Sequence, residues 1–336
     1  MKRTSGQLAV VVGTVVAVLS STAAAQAATS GPVVLPGCAG SSASDVNNRG
    51  VIVGVSCGQA VRWDTKGRYT AIDTSGSEAV SINDRGTVAG LVNASSGSAR
   101  AVRWERDGRR VVLPVPPGTL QSLARAINNS GSVVGVLDVE PPGLPRQRSK
   151  PVRWAADGTM SELEVSPVND YTVIADVNDS GAVVGVSATS AAGETATLWD
   201  PQGRLTHLPP LVEGRASGAY GINDAGTVVG FAMAADGAWH AVKWDRHQRI
   251  TDLGSPPPWN GSVAQAINNR GQVVGLAATT TGRYHAVAWG RRGGITDLGV
   301  LSGDYGTTAA INDFGLVVGA AQTDDFANHA VYWRLR

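Results

Sequence analysis

Side chains that could ligate a cation recur at regular intervals along this chain. An Asn-[Asn/Asp]-x-Gly tetrapeptide begins at Asn47, Asn83, Asn128, Asn178, Asn223, Asn268 and Asn312. Amide and carboxylate oxygens are the ligands that Ca²⁺ prefers. The same tetrapeptide is typical of a tight turn, because Asn hydrogen-bonds its own backbone and Gly accepts a positive φ. Each copy belongs to a separate repeat, so the copies should lie far apart, and we predict seven turns and no metal site.

Candidate catalytic side chains are few. His240, His285 and His329 precede similar segments in successive repeats, which favours packing or hydrogen bonding over zinc ligation. The Gly/Ser stretches, such as Gly76-Ser77, lack the strand-to-helix context that a Gly-x-Ser-x-Gly nucleophile needs. A catalytic centre is built from groups that converge once, whereas most polar residues here recur. We therefore predict no catalytic residue, no metal and no cofactor.

Composition narrows the class of protein. The 336 residues include 42 Gly and 16 Pro, a content that disfavours long helices. Twenty-eight basic and 27 acidic side chains leave a formal charge of +1, which is too balanced to neutralise a row of phosphates. We therefore do not expect nucleic acid as a partner.

The N-terminal segment has the three parts of a secretory signal peptide. Met1-Lys2-Arg3 is basic, Leu8 to Leu19 is apolar, and Ala25-Gln26-Ala27 is a small-x-small cleavage site. The apolar run is too short to remain as a membrane anchor. We predict that residues 1–27 are removed and that residues 28–336 form one secreted domain with no membrane insertion.

The chain contains two cysteines, Cys38 and Cys57. An even count in an exported protein predicts one disulfide. A metal site built on two cysteines would need further ligands, and no His lies near either cysteine in sequence.

The tetrapeptides mark a repeat whose commonest length is 44 or 45 residues. Seven residues after each turn Asn stands a glycine: Gly54, Gly90, Gly135, Gly185, Gly230, Gly275 and Gly319. Each unit closes with a tryptophan: Trp63, Trp104, Trp154, Trp199, Trp244, Trp289 and Trp333. Residues 264–299 contain four short Val- and Ile-rich runs, which we predict to be strands. These are strand a (264–268), strand b (272–276), strand c (285–289) and strand d (294–298).

Seven units of four antiparallel strands predict an all-β, seven-bladed β-propeller. A linear stack of such units would leave unpaired edges. Pro32 to Pro36 resembles strand d of other units, such as Val111 to Pro114, and the last unit ends after strand c. The N-terminal strand should therefore pair with the last blade and close the ring. The repeated Gly should let neighbouring sheets approach closely, and the Trp should fill the wedge between them.

Such a ring has two faces. The turn face carries the a–b and c–d turns, for example residues 268–271 and 290–293, and the loop face carries the b–c and d–a connections. Cys38 falls in a d–a connection and Cys57 in a b–c turn, so both should lie on the loop face beside the closure. The longest b–c connection, Asp138 to Lys150, is rich in Pro and ends with basic residues. It is either a partner contact or a tolerated insertion.

The repeat motifs resemble those of a known family. His-Ala-Val-x-Trp occurs at 240–244 and 285–289, and Ile-Thr-Asp-Leu-Gly at 250–254 and 295–299. With the turn motif Ile-Asn-[Asn/Asp]-x-Gly-x-Val-Val-Gly, they resemble the bacterial extracellular HAF-repeat proteins over nearly the whole mature chain. Val stands where the family name implies Phe, and earlier units replace the His with Gln59, Arg100, Lys150 and Thr195. The resemblance implies an exported repeat propeller and no particular activity.

The loop face differs between units, so a single binding site could be built there. Eight residues before each turn Asn stand Ala39, Ser75, Leu120, Asp170, Arg215, Asn260 and Asp304. Aromatic faces flanked by hydrogen-bonding groups suit sugar or peptide ligands. The predicted ligand-binding residues, at the mouth of the central channel, are Asp170, Tyr171, Arg215, Trp259, Asn260, Asp304 and Tyr305. The alternative is that these are ordinary solvated loop residues.

These observations predict a secreted, monomeric, non-enzymatic propeller that binds an extracellular glycan or protein through the loop face. One alternative is an extracellular polysaccharide hydrolase or lyase with Asp170 and Asp304 as acid and base. Hydrolysis by paired carboxylates needs a separation within about 10 Å, and two blades intervene here, so we expect these residues to be too far apart. A second alternative is a surface scaffold without a small ligand, which would present a flat apolar patch.

Overall fold

The computed structural model describes residues 31–93, 98–139, 148–166, 171–189, 193–255, 260–290 and 294–335. The regular elements in these ranges are β-strands. Within the same ranges, no helix is long and apolar enough to cross a membrane. The predicted signal peptide, residues 1–27, lies outside the described residues.

The described ranges contain 28 strands in seven sheets. Blade 1 comprises β2 (Ser42–Val46), β3 (Ile52–Ser56), β4 (Gln59–Trp63) and β5 (Tyr69–Ser75). Blade 2 comprises β6 (Ser77–Ile82), β7 (Val88–Val92), β8 (Arg100–Trp104) and β9 (Arg110–Val112). Blade 3 comprises β10 (Thr119–Ile127), β11 (Val133–Val139), β12 (Arg148–Trp154) and β13 (Met160–Glu162). Blade 4 comprises β14 (Tyr171–Val177), β15 (Val183–Thr189), β16 (Gly193–Trp199) and β17 (Leu205–His207).

The remaining strands complete the ring. Blade 5 comprises β18 (Ser217–Ile222), β19 (Val228–Met233), β20 (Trp239–Trp244) and β21 (Ile250–Gly254). Blade 6 comprises β22 (Gly261–Ile267), β23 (Val273–Ala278), β24 (Tyr284–Trp289) and β25 (Ile295–Asp297). Blade 7 comprises β26 (Gly306–Ile311), β27 (Leu316–Gln322), β28 (Asn328–Arg334) and β1 (Val33–Val34). Each sheet is antiparallel, and the predicted all-β seven-bladed propeller is confirmed.

The strand boundaries differ from the predicted ones by up to three residues. In blade 6, strand a begins at Gly261, because its pairing with strand b extends to Ala278. Strand d covers only Ile295–Asp297, three residues that pair with the end of strand c.

The N-terminal strand closes the ring, as predicted. In the sheet order of blade 7, β1 lies beside β28, with Val33 opposite Tyr332 and Val34 opposite Val331. The Leu35 N–H continues the pairing by donating to the Ala330 carbonyl at 2.8 Å. Backbone hydrogen bonds between the two ends of the chain therefore hold the first and last blades together.

The core consists of wedges between neighbouring blades, and each wedge contains a strand-c tryptophan. Trp63 is fully buried and packs in a cluster with Val61 of its own blade and with Val318 and Ala330 of blade 7. Its indole Nε1 donates to the Pro36 carbonyl at 2.7 Å. The predicted wedge role of the tryptophans is confirmed.

The repeated glycine of strand b has a different role from the predicted one. A Cβ on Gly54 would lie 2.0 Å from the carbonyl oxygen of Ser42, which belongs to the same blade. The register shifts between Ala43 and Asp45, so a bulge in strand a is directed at this glycine. The glycine therefore permits close approach of strands a and b within one blade, not of neighbouring sheets. An added Cβ would lie 1.9 to 2.0 Å from the corresponding strand-a carbonyl oxygen at six further positions: Gly90, Gly135, Gly185, Gly230, Gly275 and Gly319.

Cys38 and Cys57 form the predicted disulfide. Cys38 lies between β1 and β2, and Cys57 lies in the turn between β3 and β4, so the bond is on the loop face. The Cys38 N–H also donates to the Ser56 hydroxyl at 3.0 Å. The disulfide thus fastens the closing strand to blade 1.

Candidate functional site

The repeated turns surround the axis on the turn face and hydrogen-bond to one another. Asn47 Oδ1 accepts the N–H of Val51 at 3.0 Å within its own turn, and Asn47 Nδ2 donates to the carbonyl of Asn83 in the next blade at 3.0 Å. The first Asn of every turn makes the second kind of bond, at 2.9 to 3.1 Å. These bonds form a closed circle, the inner ring, through Asn47, Asn83, Asn128, Asn178, Asn223, Asn268 and Asn312.

The second residue of each turn forms another circle. The Asn48 N–H donates to Asp84 Oδ1 at 2.7 Å, and the Asp84 N–H donates to Asn129 Oδ1 at 2.8 Å. This outer ring consists of Asn48, Asp84, Asn129, Asp179, Asp224, Asn269 and Asp313. Asn and Asp both offer an Oδ1 acceptor, which explains why either occupies the second position. The first position needs an Oδ1 acceptor and an Nδ2 donor, which only Asn supplies.

The carboxylates of the outer ring are engaged by amides. Asn48 Nδ2 donates to Asp84 Oδ2 at 3.1 Å and to Asp313 Oδ2 at 3.0 Å. Because the ring has seven members, Asn and Asp cannot alternate all the way around it. Asp179 and Asp224 are therefore adjacent carboxylates. No cluster of His, Cys, Asp and Glu within the described ranges is arranged to hold a metal ion. The turns therefore join the blades, as the predicted turn role requires.

Two carboxylates line the central channel below the rings. Asp45 of blade 1 accepts the Ser81 hydroxyl and the Ile82 N–H of blade 2, both at 2.8 Å. Asp176 of blade 4 accepts the Ile222 N–H of blade 5 at 3.0 Å. Each side chain thus bridges its own blade to the next.

The environment of these carboxylates favours their neutral form. Burial raises the pKa of Asp176 to about 7, and the charge of Asp45 adds to this effect, although two backbone hydrogen bonds oppose it. Burial likewise raises the pKa of Asp45. Their remaining oxygens accept the N–H groups of Val46 and Val177, so both oxygens of each carboxylate already have protein partners. This arrangement suits a brace between blades better than a catalytic pair.

Asp45 and Asp176 are not among the residues that the repeat pattern indicated. They stand two residues before the turn Asn, where blades 3 and 6 have Ala126 and Ala266. The other blades have a small residue at this inward-facing position. An Asp there was the sequence feature that could have predicted a carboxylate in the channel. The same cavity, about 170 Å³ in volume, is also lined by Arg125, Tyr220 and Gln265.

The predicted ligand-binding residues that the structure describes lie at the loop-face ends of the innermost strands. Tyr171, the first residue of β14, is 41% exposed and donates its hydroxyl to Glu194 Oε1 at 2.8 Å. Burial and this hydrogen bond raise the pKa of Tyr171 to about 12. Arg215 donates from Nη1 to the Ala234 carbonyl at 3.1 Å. Asn260 is exposed directly before β22.

Asp304 and Tyr305 contact side chains of the neighbouring blade. His285 Nε2 lies 3.1 Å from Asp304 Oδ1, and His285 Nδ1 lies 2.8 Å from Asp297 Oδ2. Burial alone would lower the pKa of His285, but its hydrogen bonds to both carboxylates outweigh burial and raise it. The Tyr305 ring packs edge-on against Tyr284 with centroids 6.4 Å apart. Asp304, an acid or base only in the alternative hydrolase or lyase interpretation, thus has His285 as its partner.

The His–Asp contact explains two of the repeated motifs. In blade 5, His240 Nδ1 lies 2.9 Å from Asp252 Oδ2, the same pairing as His285 with Asp297 in blade 6. The His of His-Ala-Val-x-Trp thus binds the Asp of Ile-Thr-Asp-Leu-Gly across strands c and d. This agrees with the predicted hydrogen-bonding role of the histidines.

Some predicted residues are not brought together by the described structure. Asp170 and Trp259 lie outside the described residues, as do residues 140–147 of the longest b–c connection. The described site residues are distributed over blades 4 to 7.

Several exposed aromatic residues on the same face are not among the predicted site residues. Trp239 and Tyr284 are the first residues of β20 and β24, and they are 39% and 45% exposed. Phe326, in the b–c turn of blade 7, is 70% exposed. All three stand next to b–c turns, so an analysis of the d–a connections alone could not find them.

Comparison with known proteins supports the fold. No protein-family model matches the chain, and no curated protein matches its sequence. The structure is similar to that of a streptogramin B lyase, with a TM-score of 0.61 and 13% identity over 90% of this chain and 97% of that one. It is also similar to virginiamycin B lyase from Staphylococcus aureus, with a TM-score of 0.58 and 14% identity over 91% and 98% of the two chains.

A similar domain occurs within a larger protein. An acylaminoacyl peptidase from Pyrococcus horikoshii gives a TM-score of 0.62 and 10% identity over 88% of this chain and 51% of that one. This chain therefore spans about half the length of that peptidase. At such identities the likeness extends to the propeller fold alone.

Proposed function

We propose that the protein is a secreted, monomeric, non-enzymatic propeller that binds an extracellular glycan through its loop face. The observation that carries this proposal is the group of exposed aromatic side chains on blades 4 to 7. This group, the aromatic crescent, consists of Tyr171, Trp239, Tyr284 and Phe326, which are 39% to 70% exposed. Such rings offer flat apolar surfaces to the C–H groups of a sugar.

Neighbouring aromatic rings hold two members of the crescent in place. Trp239 packs edge-on against Phe231 with centroids 4.7 Å apart, and Tyr284 packs edge-on against Tyr305. Phe231 in turn lies 5.5 Å from Tyr220 of the channel wall. Rings that are already fixed lose little conformational entropy when a ligand binds.

Polar groups beside the crescent are also fixed by the protein. Tyr171 holds Glu194, and His285 holds Asp304. A sugar hydroxyl can donate to such a carboxylate while its ring packs on the adjacent aromatic surface. Hydrogen-bonding groups at set positions give a binding surface its orientation and specificity.

Export is supported by the N-terminal pattern and by the disulfide. A bond between Cys38 and Cys57 fits an oxidising compartment. Expression of the full chain followed by N-terminal sequencing of the secreted protein tests this part. We expect the mature protein to begin at Ala28.

Thermal unfolding in the presence of a panel of neutral glycans and cell-wall fragments tests binding. A ligand at a hundred times its dissociation constant should add roughly 2.7 kcal/mol to the free energy of unfolding. Trp239→Ala and Tyr284→Ala should remove this shift, whereas Val112→Ala, an exposed apolar residue of blade 2, should leave it unchanged. An unchanged melting temperature across the panel would contradict glycan binding. Turnover of the bound glycan would contradict the non-enzymatic role.

A further inference from the structure

The turn face has a cleft where blade 7 meets blade 1. In blade 1, Trp63 pairs with Tyr69, the first residue of strand d, and residues 64–67 form the c–d turn above them. In blade 7, strand d is β1. Its pairing with strand c begins with Val33 opposite Tyr332, so the strand-c Trp333 has no strand-d residue opposite it. No c–d turn within the described ranges therefore covers strand c of blade 7. The opening has a volume of about 470 Å³, within the range of small-ligand sites.

This opening, the seam cleft, is lined by Leu35, Arg49, Lys66, Phe314, Tyr332 and Arg334, among other residues. Phe314 is the third residue of its turn and is 65% exposed. The other turns have Arg49, Arg85, Ser130, Ser180, Ala225 and Arg270 at this position. Tyr332 precedes the strand-c Trp, where no other blade has an aromatic residue. The fold does not require these two rings, because six blades form without them.

The cleft is positively charged. Arg49, Lys66 and Arg334 are exposed and have no carboxylate partner in the part of the chain that the structure describes. The only acidic residue in the lining, Asp64, is bound by Arg68 at 2.6 Å. Arg334 Cζ lies 5.7 Å from the centroid of the Tyr332 ring, and Arg270 Cζ lies 5.4 Å from that of Phe314. Three cations that no carboxylate of the described ranges neutralises are thus concentrated at one seam of a chain whose formal charge is only +1. An anion is the ligand that such a cluster attracts.

We propose that the seam cleft binds an acidic sugar of a polysaccharide. The sugar ring packs against Phe314 and Tyr332, and its carboxylate or sulfate pairs with Arg49, Lys66 and Arg334. Arg supplies paired donors that match a planar carboxylate, and Lys supplies a point charge. A neutral sugar would use only the aromatic rings, and a simple polyanion only the cations. This site is on the opposite face from the aromatic crescent and does not depend on the proposed function.

Titration calorimetry with four polymers tests the proposal. Polygalacturonate carries carboxylates, dextran sulfate carries sulfates, dextran is neutral, and polyphosphate is an anion without sugar rings. We expect at least one acidic polysaccharide to bind about tenfold or more tightly than dextran and polyphosphate. Which acidic polymer binds more tightly distinguishes a carboxylated from a sulfated ligand.

Matched variants locate the binding. Phe314→Ala should weaken binding of the acidic polysaccharide about tenfold, whereas Val112→Ala, an exposed apolar residue of blade 2, should leave it unchanged. Arg49→Gln should weaken it by a similar factor, whereas Arg85→Gln, at the same turn position in blade 2, should not.

Three results would overturn the proposal. Equal affinity of Phe314→Ala and the wild type would exclude the ring contact. Equal binding of polyphosphate would show that charge alone attracts the polymer. Loss of binding in Trp239→Ala but not in Phe314→Ala would place the acidic polysaccharide on the loop face instead.

Discussion

At the scale of single residues, the turn Asn does two tasks with one side chain. Its Oδ1 caps its own turn, and its Nδ2 reaches the next blade, so each residue stabilises a local and a long-range contact. The second turn residue accepts a backbone N–H through Oδ1, which Asn and Asp can both do. This division explains why the sequence is invariant at the first position and variable at the second.

We expect Asn223→Asp to destabilise the protein by about 2 to 3 kcal/mol, because it replaces a buried donor with an acceptor facing the Asn268 carbonyl. Asp224→Asn should lower the free energy of unfolding by only about 1 kcal/mol, since Oδ1 can still accept the Asp179 N–H and only the exposed bond from Asn269 Nδ2 is lost. Urea unfolding of both variants at neutral pH measures the difference. Equal destabilisation by the two substitutions would contradict the division of roles.

The raised pKa of Asp176 predicts a pH dependence of stability. Because its pKa in the folded protein is about 7, above an unfolded value of about 3.9, its stabilising effect is complete below pH about 4 and is lost as the pH rises to about 7. This effect is on the order of 4 kcal/mol.

Asp176→Ser provides the test, since Ser81 occupies the matching position in blade 2 and accepts the Ile127 N–H at 3.3 Å. Subtracting the unfolding free energy of the variant from that of the wild type removes the contribution of the acidic groups that do not interact with Asp176. We expect this difference to fall between pH 4 and 7. A constant difference would show that Asp176 is not held neutral in the folded protein.

At the scale of elements, the blade is built around the bulge in strand a. The bulge directs a carbonyl at strand b, and only a glycine leaves room for it. The repeated Gly was evident from the sequence, but its partner was not, because a bulge changes the pairing by one residue without leaving a clear pattern. The predicted contact with the neighbouring sheet was wrong for this reason.

Gly230→Ala should destabilise the protein by about 3 kcal/mol or more, because its Cβ would lie 1.9 Å from the Gly218 carbonyl oxygen. Gly237→Ala is the control: its φ is +85° and no atom lies within 4 Å of the added Cβ. That substitution should cost about 1 kcal/mol. Thermal unfolding of the two variants compares them, and similar losses would contradict the proposed contact.

At the scale of the whole molecule, repetition made the fold predictable and the binding surface only partly so. The turn motifs and the wedge tryptophans could be predicted because they recur in every unit. The pairing of β1 with β28 could be predicted because the last unit has no strand d of its own. Tyr171, Arg215, Asn260, Asp304 and Tyr305 lie on the predicted face, yet Trp239 and Phe326 were missed. Exposure of a single aromatic side chain depends on how neighbouring loops pack, which no repeat pattern encodes.

The disulfide should matter to the whole ring, because it fastens the closing strand. Replacing Cys38 and Cys57 together by Ser should lower the free energy of unfolding by about 3 kcal/mol, the value expected for a loop of this length. Calorimetric unfolding of the variant and of the reduced wild type measures the loss. An unchanged melting temperature in both would show that backbone pairing alone closes the ring.

Hydrogen exchange of the wild-type protein, with and without a neutral glycan that raises its melting temperature, tests binding through the loop face. Our account predicts slower exchange in the b–c turns at residues 234–238 and 279–282, which lie next to Trp239 and Tyr284. Exchange at the turn-face residues 223–226 and 268–271 should not change. Protection confined to the turn face, or none at all, would contradict binding through the loop face.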